Sequence, residues 1–262
     1  MECVIGTFNI AHGRGLAESN WRGSSIRQRK QRLEAIAAVI QDLDIVVLNE
    51  VDFFAPWSWF VNQARCLRKT ARFSFMATQH TCRVPFLRYG NVTLSRFPLT
   101  DCETIDLPKH SEIEARLGYW KRALACTVNL PSGERFRLID LHFDHRGRHM
   151  TVPSAQAVLA YARGQALPTV LAGDFNSTPL GFPNPLDNQP TAMDLLLQSG
   201  LFHSCPKSHP TAVDMTYASD DPRCVIDWIL IPTGWNFRSY RVLDVRLSDH
   251  RPVVAIIQTT ET

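Results

Sequence analysis

VLAGDFNSTP, Val170–Pro179, sets three apolar residues ahead of a glycine, then an aspartate and an asparagine one residue apart. Val170, Leu171 and Ala172 read as a buried strand, and Gly173 permits a turn or the close approach of another backbone. Asp174 and Asn176 therefore stand where a strand meets a loop, and positions i and i+2 of extended backbone face the same side. Turn chemistry alone accounts for an Asp, an Asn, a Ser and a Pro here. In isolation the segment fits a plain loop as well as a site, so the recurrence of its pattern decides.

The pattern recurs. Asn9 follows Gly6-Thr7-Phe8, Glu50 closes IVVLNE and His142 ends FRLIDLH. Asp227 interrupts CVIDWILIP, and Asp249-His250 precede the last apolar run in LSDHRPVVA. Strand ends are where a rigid scaffold can hold a functional group in place. Taken singly, Asn9 fits a turn, Glu50 a helix cap and Asp249-His250 another turn. Asp227 resists such a reading, because a carboxylate among Val225, Ile226, Trp228, Ile229 and Leu230 needs a partner, and an imidazole fits. His142 and His145 stand three apart, but with no paired cysteines and no H-E-x-x-H run, zinc is not indicated. Carboxylates, amides and imidazoles together are the inventory for holding a hard divalent cation, orienting a water and moving a proton.

Between these points the chain reads as strands with helices interspersed. A strand over 3–10, a helix over 24–44 with Ile26, Leu33, Ile36, Ala37, Ile40 and Leu43 inward, and a strand ending at Glu50 form a β-α-β unit. A second helix is expected over 57–71 with Trp59, Phe60, Ala64 and Leu67 inward. Strands follow around 73–77, 90–95, 122–130, 135–142, 168–173, 225–231 and 252–257, with helices at 154–163 and near 191–199. Strand-rich order with helices in both halves implies two packed sheets flanked by helices, in one domain over 1–262.

The 262 residues, 45% hydrophobic and 20% charged, make an ordinary globular balance. A net charge of +3 permits a polyanionic partner without demanding one. Seven scattered cysteines with no C-x-x-C pair suit buried thiols in a reducing compartment better than a disulfide framework. The N-terminus lacks the basic-then-apolar pattern of a secretory signal, and no window approaches the roughly 18 apolar residues of a membrane span. A cytoplasmic monomer is the resulting expectation.

In order, TFNI, LNEVD, YGNVTLSRFPL, KRALACTVNL, LIDLHFDH, VLAGDFNSTP, VIDWILIP and LSDHRPVVA resemble the endonuclease/exonuclease/phosphatase superfamily, the deoxyribonuclease I-like metal-dependent phosphodiesterases, from about residue 4 to 257. The resemblance implies a four-layer α/β sandwich, two mixed β-sheets packed face to face between helices, with the site at one edge of the paired sheets. It implies an Mg²⁺-dependent hydrolase, Mn²⁺ substituting, that cleaves a phosphodiester or phosphomonoester with an activated water. By motif, Glu50 matches the principal metal ligand, with Asn9 beside it and Asp249 completing or neighbouring the metal site. Asp174 and Asn176 match the pair that orients water and holds phosphate. His250 matches the base or transition-state-stabilising histidine, Asp227 its orienting carboxylate, and His142 a second histidine near the leaving oxygen. Arg122 matches a phosphate-contacting arginine, while Tyr89, Asn91 and Arg116 are weaker candidates for substrate contact. Two departures stand out: Asn49 precedes the glutamate where Gln is usual, and no carboxylate matches the partner that some members give the second histidine.

Binuclear metallophosphoesterases share a similar Gly-Asp run but need G-N-H-E and G-H-x-H motifs that are missing here. A non-catalytic binding module on the same fold would signal itself by a lost ligand, and none of the principal set is lost. Arg27, Arg29, Lys30, Arg65, Arg68, Lys69, Arg146 and Arg148 favour nucleic acid as the phosphate-ester substrate, since their charges could follow a phosphate backbone. A lipid headgroup or a small phosphoester also fits the motifs. Trp57, Trp59 and Phe60, with Phe53 and Phe54 nearby, could form an apolar lip, with at least half of them expected in the core.

Overall fold

Ser25 starts the first helix, α1 (Ile26–Ile40), by a reciprocal cap: its hydroxyl accepts from Gln28 N–H while the Gln28 side chain accepts from its own N–H. Leu33, Ile36, Ala37 and Ile40 then repeat at helical spacing and are buried, whereas Ile26, at the exposed first turn, faces solvent. This helix connects two parallel strands, β1 (Glu2–Asn9) and β2 (Ile45–Phe54), paired Thr7 to Val47 and Asn9 to Asn49. A second unit of the same kind joins β7 (Arg135–His142) through α4 (Arg148–Arg163) to β8 (Thr169–Asp174), paired His142 to Asp174. The computed structural model describes residues 2–22, 24–207 and 210–259.

Each β-α-β unit sits near the middle of a six-stranded sheet. The first runs β11 (Asn236–Val242), β12 (Val253–Gln258), β1, β2, β4 (Leu87–Ser95), β3 (Phe75–Val84). The second runs β5 (Leu99–Asp106), β6 (Arg122–Asn129), β7, β8, β10 (Asp227–Pro232), β9 (Phe202–His203). Ile5, Val47, Leu138, Val170, Ile229 and Ala255 pack between the sheets. Phe8, Val46 and Leu48 on the first outer face meet α1 and α2 (Gln63–Thr70). Leu141, Leu171 and Trp228 on the second meet α4 and α5 (Ala192–Gln198). The result is a four-layer α/β sandwich.

Local departures from the sequence expectation have local causes. The expected 57–71 helix begins only at Gln63, capped by the Asn62 side chain. Trp59 and Phe60 before it take left-handed backbone, φ 55° and 57°, and point to solvent instead of the core, Trp59 being 62% exposed. Of that aromatic group only Phe53 is fully buried. Conversely, α4 starts six residues earlier than expected and runs through Pro153, which forfeits only the ladder bond to residue 149. Strands β5, β9 and β11 and the short helix α3 (Glu112–Arg116) carry mixed, half-exposed patterns that periodicity does not mark.

Because β1 and β2 are parallel, and β7 and β8 likewise, all four central strands end at the same edge of the sandwich. Carboxyl ends of adjacent parallel strands form a natural crevice. Asn9, Glu50, His142 and Asp174 occupy those ends, and antiparallel β10 begins there with Asp227, paired directly with Asp174.

Candidate active site

Gly173 gives the Asp174 end its shape. Its φ is +146°, and a Cβ there would lie 1.9 Å from the Leu141 carbonyl oxygen, so only glycine lets β8 lie so close to β7. Asp174 is then held from three sides. Its own N–H donates to Asn49 Oδ1 at 2.9 Å, Asn176 N–H donates to its Oδ1 at 2.9 Å, and Asn9 Nδ2 donates to its Oδ2 at 3.1 Å. Burial, reinforced by the nearby Asp227 and only partly offset by His250, pushes its carboxyl up to about 7.

Glu50 owes its position to a β-bulge. Pairing between β2 and β4 slips between Leu48 and Val51, and Glu50 takes a left-handed φ of 53°. The extra residue turns the carboxylate out of the ladder and into the cleft. Asn9 Nδ2 lies 3.4 Å from its Oε1, His12 Nε2 3.4 Å from Oε2 and His142 Nε2 3.8 Å from Oε1. Burial alone would raise its pKa, but the positive charge of His12, Lys121 and His250 holds the carboxyl well below the usual range.

In the loop just before β12, His250 Nδ1 lies 2.9 Å from Asp227 Oδ2, and its Nε2 faces Asp174 Oδ2 at 3.8 Å. Burial would lower the imidazole, but Asp227 and Asp174 outweigh it and raise it to about 10, so the ring is cationic at neutral pH. Asp174, Asp227 and His250 place ligand-type atoms within 4.8 Å of one another. His142, 3.5 Å from Asp174, is the opposite case: burial and then Lys121 push it well below the usual range, so it is neutral. Among the described residues no carboxylate is dedicated to it; Asp144 instead lies towards His145 and Arg146.

The cleft itself, about 100 Å³, is lined by His12, Glu50, Thr81, Tyr89, Gly90, Tyr119, Lys121, His142 and His145. Asn9, Asp174, Asp227 and His250 are not part of that lining but adjoin it through Glu50 and His142, whereas other sequence candidates are engaged elsewhere. Arg122 donates from Nη2 to the His80 carbonyl and stacks on Trp120, away from the cleft lining. Its neighbour Lys121 takes the position, buried and lowered to about 8 by burial despite Glu50 and Asp174, and still a cation at neutral pH. Asn91 is buried with both side-chain polar atoms unpaired, and Arg116 is exposed on α3. Tyr89 does line the cleft, edge-on to His12. Asn176 reaches Phe143 O through Nδ2, and Asp249 pairs with Arg14 Nη2 at 2.6 Å instead of touching Glu50.

His12, Asp52 and Lys121 are the residues that sequence reasoning missed. His12 Nδ1 and Asp52 Oδ1 are 2.7 Å apart, Trp57 Nε1 donates to Asp52 Oδ2, and Arg29 and Gln63 both donate to the His12 carbonyl. Asp52 in VDFF carries the same signal that singled out Asp227, a buried carboxylate in an apolar strand. The basic residues named for nucleic acid do not form one track. Arg29 is buried on His12 O and Asn20 O, Arg146 is claimed by Glu114 and Asp144, and Arg65, Arg68 and Lys69 lie along α2 with Arg72 and Phe73.

The Endonuclease/Exonuclease/phosphatase family model matches residues 6–250. The chain belongs to that family. Among solved structures, this family member is similar to an endonuclease/exonuclease/phosphatase from Beutenbergia cavernae DSM 12333 (TM-score 0.76, 22% identity, covering 98% of this chain and 72% of that one). It is similar also to the human Nocturnin catalytic domain with bound sulfate anion (TM-score 0.71, 19% identity, 99% and 95%) and to a mannosyl-6-phosphatase from Bacteroides thetaiotaomicron VPI-5482 (TM-score 0.71, 19% identity, 98% and 99%). At such identities these likenesses speak for the fold. No curated protein matches.

Proposed function

We propose that the protein hydrolyses a phosphoester with the help of a bound divalent cation, Mg²⁺ or in its place Mn²⁺. The observation that carries this reading is the meeting of Glu50, Asp174 and a cationic His250 at one strand-end edge. Carboxylate and amide oxygens suit a hard cation, and Glu50 with Asn9 beside it would hold the ion. Asp249 is engaged by Arg14. The buried Asp174 carboxyl, pushed up to about 7 chiefly by burial and then by Asp227, shares the Asn9 amide with Glu50, and a cation held there would favour its ionised form. When bound, the cation supplies Lewis acidity against the phosphoryl oxygens.

The remaining chemistry belongs to the chain. Asp174, fixed by Asn9, Asn49 and Asn176, is placed to take a proton from an attacking water without reorganising. Asp227 accepts the Nδ1–H of His250, which leaves Nε2–H to donate into the site, and Lys121 adds a second cationic donor as charge builds on phosphate oxygens. His142, being neutral, acts as a hydrogen-bond donor and not as a strong acid. The sulfate bound to the Nocturnin catalytic domain and the phosphatase name of the Bacteroides neighbour agree with an anion-accepting cleft on this fold.

The test is turnover of bis(p-nitrophenyl) phosphate and p-nitrophenyl phosphate with Mg²⁺, Mn²⁺ and excess EDTA. Activity should require the metal, and full turnover in chelator would overturn its role. Glu50→Gln should remove most of the thermal stabilisation that Mg²⁺ confers, because a neutral amide replaces the charged ligand. An unchanged Mg²⁺-induced rise in Tm would point to another primary ligand.

A further inference from the structure

The large apolar side chains left exposed among the described residues are not scattered evenly. Apart from Phe75, they lie on the loops after β1, β2, β8 and β9, at the start of α1, on the β3–β4 turn and on or just after α3, which the strand pairing places towards the site edge. Single exposed apolar residues are ordinary, but concentration on one face marks an interaction surface.

The most apolar part has a defined build. The β3–β4 hairpin carries Phe86, 74% exposed, at its tip, and the segment after α3 seats against that hairpin. Arg83 N–H donates to Gly118 O, Trp120 N–H donates to Thr81 O, and a Cβ on Gly118 would lie 2.9 Å from Arg83 O. This sets Ile113 and Leu117, 71% and 68% exposed, on and just after α3, in the segment beside the hairpin that carries Phe86. Arg83, Arg88 and Arg116 are exposed around them, and none pairs with a carboxylate among the described residues. The acids nearby are already engaged: Glu112 by Lys109 and Glu114 by Arg146. The inner sides of these same two segments, at Thr81, Tyr89, Tyr119 and Lys121, line the cleft.

We propose that this face docks on an anionic lipid surface and that the substrate is a phosphoester in that surface, its headgroup reaching the adjoining cleft. The proposal rests on the phosphoester reading above. Apolar tips amid unpaired arginines are the pattern of interfacial binding, side chains entering the acyl boundary while cations meet anionic headgroups. A second copy of the chain would set arginine against arginine. On this patch a nucleic-acid strand would find one exposed aromatic ring, Phe86, beside two aliphatic side chains, because the exposed Trp21, Trp59 and Phe60 lie on the loops after β1 and β2 and not on the two segments that carry these arginines.

Co-sedimentation with vesicles of phosphatidylcholine, alone or with roughly one-third phosphatidylglycerol, tests this in EDTA, so that no turnover is needed. Binding should be strong only with phosphatidylglycerol. Phe86→Ser with Leu117→Ser should weaken it about tenfold or more while leaving the melting transition in place, since both side chains are exposed. Arg83→Gln and Arg88→Gln should each weaken it about fivefold, the factor that corresponds to about 1 kcal/mol per basic residue. Failure to bind either vesicle, binding insensitive to these changes, or preferential binding of a single-stranded oligonucleotide through the same residues would overturn the inference. The two readings fail separately: vesicle binding lost with p-nitrophenyl ester turnover intact sinks only the lipid surface. Turnover missing on every ester with vesicle binding intact sinks the hydrolase.

Discussion

Asp227 shows how far one residue can be read. A carboxylate flanked by Val225, Ile226, Trp228 and Ile229 demands a partner, and in the structure it faces His250 Nδ1 at 2.9 Å. Asp227→Asn keeps the shape and removes the charge, so it should cut turnover by roughly a hundredfold with the fold intact. His250→Ala should cost a similar factor, and the double variant little more than either, because members of one unit are not additive. Losses that simply multiply would dissolve the pair. Stability carries the same signature. His250 is raised from its ordinary value to about 10, so its stabilising charge is fully present below pH 6.5 and is lost as pH rises through 10. Melting curves from pH 6.5 to 10.5 should show that alkaline loss in the wild type and a smaller one in Asp227→Asn. Lys121 shows the limit of residue-level reading. It stands beside Arg122 in KRAL, and only the start of β6 at Arg122 determines which of the two cations lines the cleft.

At the level of elements, what could be read follows from how completely each is buried. β1, β2, β7, β8 and β12 are buried along nearly their whole length and stand out as apolar runs. β5 is mostly exposed and β11 half-exposed, and the residues of neither carry a clear period. The 57–71 segment misleads because apolar spacing there continues a helix that left-handed Trp59 and Phe60 do not form. The bulge at Glu50 also has no pattern in the sequence, although it is what aims the carboxylate. Gly173 is different, because its place before Asp174 in a strand signals close packing. Gly173→Ala should cost about 2–4 kcal/mol by urea unfolding, since the new Cβ would strike the Leu141 carbonyl and φ of +146° disfavours a side chain. A cost within ±0.5 kcal/mol would mean that β7 and β8 can part without penalty.

Across the whole molecule, the space between the sheets changes character from one end to the other. Ile5, Ile45, Leu138 and Val170 fill the end away from the site. Towards the edge that carries the candidate site the same strands, with β4, present Thr7, Asn49, Thr93 and Asp140, all buried. Each sheet supplies half of the site, Asn9 and Glu50 from one and His142, Asp174 and Asp227 from the other, so alignment depends on bonds that cross the gap. Asn49 makes two of them: its Nδ2 donates to Asp140 Oδ1 at 3.1 Å, and its Oδ1 accepts from Asp174 N–H at 2.9 Å. Thr93 donates to the other Asp140 oxygen, and burial nonetheless raises the Asp140 carboxyl well above its ordinary value. Asn49→Leu would strand the Asp174 N–H and remove one of Asp140's donors, at a cost of about 2–4 kcal/mol if each stranded group costs about 1–2. Because Asp174 is no longer tied across the gap, turnover should fall more than the lost stability explains, measured well below the melting temperature. Adding Asp140→Leu removes the acceptor that Asn49→Leu leaves underserved. The double variant should therefore unfold at a lower cost than the two single costs added together, by about 1 kcal/mol or more. Simple additivity would show that the polar bridge does not act as one unit, and that the two half-sites are aligned by apolar packing alone.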